Sequence, residues 1–384
     1  MKSFFKGLCI GLIIGLFLVI GYAAYYIISG SESRSAAVPP AAVSIQPSEE
    51  TITVPEKEEP SLPESVPEEE PEPAPEPRPV TISFAGDVQF SDQYLSAYDQ
   101  SGVSAFADSE MLSLMQDSDL FLLNEEFPFS LRGEPMPDKQ FTFRTDPKYV
   151  KIFHELGADI VTVANNHAMD FGQEAFCDTL DTLKQADITY IGGGYDIKEA
   201  SAPAVRTIEG QTFAFLGATR VSPSYSWYAN SSQPGLFQTY DPAGLNDAIK
   251  EADAAYDHVI VFVHWGIERN DIPEEYQRVL AKGYIDAGAD LIVGCHPHVL
   301  QGFEYYKDVP IVYSLGNYLF GNRNGETLLL QAIFSPEGTL DIQLVPCQRT
   351  GGVLSRIQEP AALYDYLNSI SFDAKVSGDG LLTP

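Results

Sequence analysis

The stretch Leu291-Ile292-Val293-Gly294-Cys295-His296-Pro297-His298 runs an apolar segment straight into two histidines that flank a proline. Alone, it reads as a buried strand that ends in a rigid polar turn. The same design recurs four more times. Thr81–Ala85 leads into Gly86 and Asp87, and Leu120–Leu123 into Asn124, Glu125 and Glu126. Ile160–Ala164 leads into Asn165, Asn166 and His167, with Asp170 and Gly172 just beyond; Val259–Val263 ends at His264, Trp265 and Gly266, with Glu268 next.

Between these runs lie stretches with helical spacing: Pro147–Leu156, Gln173–Ala186, Pro242–Ala254 and Glu274–Ala287. Further short apolar runs at Thr212–Leu216 and Ile311–Ser314 continue the alternation. Strands that are apolar at successive positions and separated by amphipathic helices predict an α/β domain whose sheets are covered on both faces. Leu328–Phe334 and Leu340–Pro346, split by Pro336-Glu337-Gly338, predict an antiparallel hairpin. The globular composition begins at Val80, and the domain is assigned to 80–354. Residues 355–384 then form a helix at Ala361–Ile370 and a polar tail expected to be poorly ordered.

Upstream of Val80 the composition changes twice. Leu8–Ile28 is almost wholly apolar, and 21 residues of helix span about 32 Å, enough for a bilayer core of about 30 Å. Ala23 and Ala24 offer a signal-peptidase site, but the apolar run continues past them, which favours an uncleaved anchor over 1–30. Lys2 and Lys6 precede it, so the expected topology is a single pass through the cell membrane, N-terminus in the cytoplasm and the rest extracytoplasmic. Residues 31–79 hold 12 of the chain's 27 prolines and 12 glutamates, a composition that predicts a disordered, extended stalk.

The 384-residue chain carries 54 Asp and Glu against 23 Lys and Arg, a formal charge of −31. Its first 30 residues contribute +2 and the stalk −9, which leaves −24 on 80–384. A surface of that sign excludes nucleic acid as a partner and excludes docking on anionic lipid through a basic patch. The four cysteines lack metal-binding spacing: Cys9 falls in the anchor, Cys177 and Cys347 read as structural, and Cys295 stands beside them without a motif.

In an open α/β sheet, loops at the carboxyl ends of strands converge, so five polar strand ends can meet at one point. Four of the six histidines fall in these motifs, whereas His154 and His258 do not. Each motif alone has an ordinary explanation. Gly86-Asp87 can be a turn, Asn124-Glu125-Glu126 a solvated loop, and His264 a core histidine bonded to a carbonyl. Five together point to a metal site, and mixed His, Asn and carboxylate donors suit Mn, Fe or Zn better than calcium.

These motifs resemble CapA-type proteins of capsule and poly-γ-glutamate biosynthesis, whose domain is related to calcineurin-like metallophosphoesterases. The likeness rests on Gly86-Asp87, Asn124 and Glu126, Asn166-His167 with Asp170-Phe171-Gly172, His264-Trp265-Gly266 with Glu268, Gly294 through Glu304, and Tyr313-Ser314-Leu315-Gly316-Asn317. It spans about residues 81–350 and implies a four-layer fold, two mixed sheets packed between helices. It implies one or two divalent ions held by Asp87, Glu126, Asn166, His264, His296 and His298. Asp87 and His167 would serve the reaction, His167 at the leaving group. Asn124, Asp170, Glu268, Glu304 and Asn317 would support the ligands or touch substrate, Glu268 and Glu304 alternatively being plain salt-bridge partners. The implied partners are the capsule polymer and its synthase complex. Two positions depart from the wider superfamily: Gln89 replaces the histidine of its Asp-x-His motif, and Glu126 replaces a bridging Asp.

Overall fold

The computed structural model describes residues 77–321 and 324–384. The expected anchor and nearly all of the expected stalk lie outside them. Among the described residues no helix is long and apolar enough to cross a membrane.

Along the chain, β1 (Val80–Gln89) is followed by α1 (Asp92–Ser101), α2 (Ser109–Gln116) and β2 (Leu120–Glu125). Next come α3 (Lys151–Leu156), β3 (Ile160–Thr162), α4 (Gly172–Gln185) and β4 (Thr189–Ile191). A small pair, β5 (Gly193–Gly194) and β8 (Gly235–Leu236), encloses α5 (Ile197–Ala200), β6 (Ala204–Ile208) and β7 (Gln211–Thr219). Then α6 (Ala243–Asp253), β9 (His258–His264), α7 (Glu275–Asp286), β10 (Leu291–Cys295), β11 (Phe303–Tyr306), β12 (Val309–Val312) and β13 (Asn317–Phe320) lead to a long hairpin. That hairpin is β14 (Gly325–Phe334) and β15 (Leu340–Thr350), followed by β16 (Val353–Arg356), α8 (Ala361–Ser369), β17 (Lys375–Val376) and β18 (Leu381–Thr383).

The first sheet has the order β17-β18-β15-β14-β1-β2-β3-β4, with β13 also paired to β1. Strands β1 to β4 run parallel, and β14 lies antiparallel to β1. The second sheet has the order β11-β12-β10-β9-β7-β6, parallel through β12, β10, β9 and β7 and antiparallel at both edges. Both are mixed sheets.

Alternation along each strand explains how two sheets and two helical layers pack. In β9, Ile260 and Phe262 join Phe84, Leu122 and Val293 in one cluster between the sheets. The alternate residues Val259, Val261 and Val263 pack with Leu245 and Ile249 of α6 and Tyr284 of α7. On the other side of the first sheet, Val88 and Leu123 meet Met111, Phe153 and Leu180 from α2, α3 and α4. A strand covered on both faces has no polar side, which is why the sequence shows continuous apolar runs there.

The polar tail departs from expectation. β17 and β18 extend the first sheet, Leu382 standing opposite Ile342 of β15, and Val376 and Leu382 are buried. Lys375–Val376 and Leu381–Thr383 suffice because β18 pairs with the part of β15 at Ile342 and Gln343 and β17 then pairs with β18. Helix α8 stands where expected, with Leu363, Tyr364 and Leu367 buried.

Candidate metal centre

The carboxyl ends of β1, β2 and β3 from the first sheet face those of β9 and β10 from the second. A β-bulge between Phe84 and Asp87 turns the end of β1, and Gly86 makes this possible. A Cβ at Gly86 would stand 1.9 Å from the carbonyl oxygen of Gly316, whose acceptor takes the Asp87 N–H at 2.9 Å. β13 pairs with β1 at Asp87 and Asn317, so Asn317 arrives beside the same carboxylate. His296 and His298 occupy left-handed backbone, φ 100° and φ 59°, on either side of Pro297. Non-glycine residues held there are costly and cluster at functional sites.

Glu126 Oε1 is the focus of the cluster. It is buried and accepts no hydrogen bond, yet Nε2 of His298 lies 3.8 Å away and Nε2 of His167 and of His264 lie 4.0 Å away. Two ligands each about 2.1 Å from one ion stand roughly 3–4 Å apart, so this spacing fits a shared divalent cation. His296 Nδ1 is also buried without a partner. Ligand atoms of Glu126, His264 and His296 lie within 4.8 Å of one another, as do those of Asp87, Glu126 and His298. Asn166 Oδ1 sits 2.8 Å from His264 Nε2. The residues present fit a divalent metal.

Protonation supports the same reading. Burial, reinforced by the neighbouring His296, holds His264 well below the usual imidazole range. Burial and the charge of His298 bring His296 to about 3. Both rings are therefore neutral and available as ligands. Burial pushes the Glu126 carboxyl up, and the adjacent Asp87 carboxylate adds to this. Asp87 is held low despite burial, because His298 at 3.2 Å and the Asn124 amide at 2.8 Å stabilise its charge. Against the effect of burial, Asp87 pushes the His298 ring up, whereas His167, His264 and His296 are all lowered, and a bound metal would supply the positive charge that those three rings do not.

The supporting residues fall into place unevenly. Asn124 Nδ2 donates to Asp87 Oδ1 at 2.8 Å and to Glu126 Oε2 at 3.3 Å. Asn317 Oδ1 lies 2.8 Å from His298 Nδ1. Asp170 Oδ2 accepts from His167 Nδ1 at 2.7 Å, leaving Nε2 directed at Glu126. Glu268 lines the cleft without a hydrogen bond to a cluster histidine, and Gln89 lines the same cleft. Glu304 is elsewhere: its buried carboxylate accepts from Arg278 at 2.8 and 3.0 Å, from the Tyr313 hydroxyl at 2.8 Å, and pairs with Lys282. It is a salt-bridge partner.

Three residues enter that the sequence did not single out. Lys139 forms an ion pair with Asp170 and donates to the Asn166 carbonyl at 2.5 Å. Phe143 stacks on the His167 ring at 4.3 Å, and its N–H donates to Asp170 at 2.7 Å. Cys295 lies 3.2 Å from His264 Nδ1. Cys177, Cys295 and Cys347 are all free thiols. The cluster opens into a cleft of about 590 Å³ whose walls include Phe141, Phe320 and Tyr366.

The family model described as "Bacterial capsule synthesis protein PGA_cap" matches residues 81–322, a span that carries every candidate ligand. The chain belongs to this capsule synthesis family. The PGA biosynthesis protein CapA of Bacillus subtilis is 33% identical over 272 residues, covering 70% of this chain and 71% of that one. The capsule biosynthesis protein CapA of Bacillus anthracis is 31% identical over 276 residues, 70% of this chain and 67% of its own. A probable polyglutamine synthesis accessory protein of Mycobacterium tuberculosis is 29% identical over 219 residues, 54% of this chain and 58% of that protein. The PGA_cap match ends before β14, so the hairpin, α8 and the last strands of the first sheet lie beyond it, although Tyr366 of α8 helps to wall the cleft.

Proposed function

We propose that this capsule synthesis family member is a metal-dependent hydrolase with a calcineurin-like fold, held outside the cell membrane by its N-terminal segment. It would act on a phosphoester or a related bond in capsule or poly-γ-glutamate assembly, alongside the polymer and its synthase. The observation that carries this reading is Glu126 Oε1, buried, unpartnered and ringed by three imidazole nitrogens.

Asp87, Glu126, Asn166, His264, His296 and His298 would hold one or two ions of Mn, Fe or Zn. A bound ion lowers the pKa of a coordinated water and draws off charge that develops on the substrate's oxygens. His167 would give the leaving oxygen a proton from Nε2 of its imidazolium form, which burial disfavours and the Asp170 carboxylate at Nδ1 supports while fixing the ring. Phe143 covers one face of that ring and keeps water from it. Lys139 ties the main chain of Asn166 to the carboxylate of Asp170, so the ligand and the proton donor move as one piece. Leu8–Ile28 and the two lysines before it support the anchor.

The test is metal content by inductively coupled plasma mass spectrometry, followed by turnover of bis-p-nitrophenyl phosphate with and without chelator. His296→Ala and His298→Ala should lose the metal and the turnover together. Gln89 favours a second reading, a polymer- or synthase-binding component whose residual metal site is structural. Metal without chelator-sensitive turnover would select it. Turnover in a setting without a polymer ligase would instead select a phosphoesterase unrelated to capsule.

A further inference from the structure

Cys295 and His264 are register partners on the parallel strands β10 and β9, so their side chains leave the sheet on the same face. Neither strand can slide. A Cβ at Gly294 would stand 2.1 Å from the Tyr313 carbonyl oxygen and 2.5 Å from Trp265 Nε1, and the Trp265 N–H donates to the Cys295 carbonyl at 3.1 Å. The result is a contact of 3.2 Å between Cys295 Sγ and His264 Nδ1, both fully buried.

The other polar atom near Nδ1 is Asn124 Nδ2 at 3.4 Å. Its two hydrogens go to Asp87 and Glu126, and an amide nitrogen does not accept. Sulfur is therefore the group in reach that serves Nδ1 in either role. We propose that Cys295 is a positioning residue that partners His264 Nδ1 in both tautomers and thereby sets how tightly Nε2 takes a metal. The proposal rests on the metal-centre reading above.

The two states balance as follows. Without metal, the ring's hydrogen is on Nε2 and is donated to Asn166 Oδ1 at 2.8 Å, and Nδ1 accepts from the thiol. When Nε2 gives its lone pair to an ion, the ring's one N–H is on Nδ1. Sγ then accepts it, and the thiol hydrogen turns to the Val263 carbonyl at 3.9 Å. Without the sulfur, metal binding would leave a buried N–H unsatisfied. Outer partners of ligating histidines are typically worth about 10–100-fold in metal affinity.

The experiment measures Zn²⁺ affinity of the full chain by chelator competition. Cys295→Ala should bind about 10–100-fold more weakly than the native chain. Cys295→Ser, whose hydroxyl also donates and accepts, should recover most of that loss. If the native chain binds zinc and Cys295→Ala binds it equally well, the proposal is overturned. A sulfur-to-metal charge-transfer band in the Co²⁺-loaded chain would also overturn it, because Cys295 would then be a ligand. A native chain that binds no metal sinks the metal-centre reading itself, a separate result. Should Cys295→Ala fail to fold, ¹⁵N NMR of the native chain decides the matter. The His264 proton has to move from Nε2 to Nδ1 on adding zinc, and a proton that stays on Nε2 refutes the proposal.

Discussion

His298 Nδ1 lies 3.2 Å from Asp87 Oδ2, although Asp87 belongs to β1 of the first sheet and His298 follows β10 of the second. The donor set therefore exists only when the sheets are docked. Metal that binds the folded chain alone stabilises it by mass action, by about 2.7 kcal/mol at a hundredfold excess over Kd. Urea unfolding with and without zinc or manganese should show a gain of that order, and chelator should remove it. Equal midpoints would mean that no ion is held.

Asp170 is fully buried and is the counter-ion of Lys139, whose side chain is only 15% exposed. Burial lowers the Lys139 pKa, and Asp170 opposes that shift. Asp170→Ala leaves a buried ammonium uncompensated and should cost about 3–5 kcal/mol of stability. Lys139→Met together with Asp170→Asn removes both charges, so most of that loss should be regained in the double variant, as read from denaturant midpoints.

The metal-free chain should lose stability in acid through His296. Burial depresses this ring to about 3 in the folded state, against an ordinary value near 6.5 when unfolded. Between those values the unfolded chain binds the extra proton, so the contribution of His296 is present above about pH 6.5 and is lost as pH falls toward 3. His296→Gln has no such group. Melting temperatures of chelator-treated protein should fall less steeply for His296→Gln over that range, and parallel profiles would refute the assignment.

Leu382 in β18 is buried opposite Ile342. Leu382→Ala should destabilise the domain by about 2–3 kcal/mol, the lower part of the range for a core leucine. A change within error would show that the last strand contributes nothing to the sheet.

A domain carrying −24 repels a polyanion at long range, and salt screens that repulsion. Poly-γ-glutamate binding, measured by calorimetry, should strengthen as salt rises and should require the metal. Affinity that declines steadily with salt would point to a basic docking surface instead.

Much of this architecture was legible because strands covered on both faces leave continuous apolar runs, and a polar group directly after such a run has to be turned into a loop. Asp87, Glu126, Asn166, His264, His296 and His298 share that signature and converge in the structure. Helix α1 left almost no trace, since only Tyr94 and Tyr98 of its ten residues are buried. Lys139 and Phe143 lie between β2 and α3 and gain their roles from a tertiary contact with Asp170 that no local pattern records. Cys295 carried no motif spacing, and a buried thiol leaves the same mark in a sequence as an aliphatic side chain. Glu304 follows the histidine turn closely in sequence, yet β11 carries it to Arg278.

β1, which delivers Asp87, lies between β2 and β14, and β14 is formed by residues 325–334 near the far end of the chain. A nascent chain emerges N-terminus first, so β1 waits, unpaired along that edge, until most of the domain has been synthesised. Completion of the first sheet is thus a late event that joins distant parts of the chain, and such long-range pairing is slow. The cluster that Asp87 anchors is therefore completed last, only after residues 325–334 have joined β1.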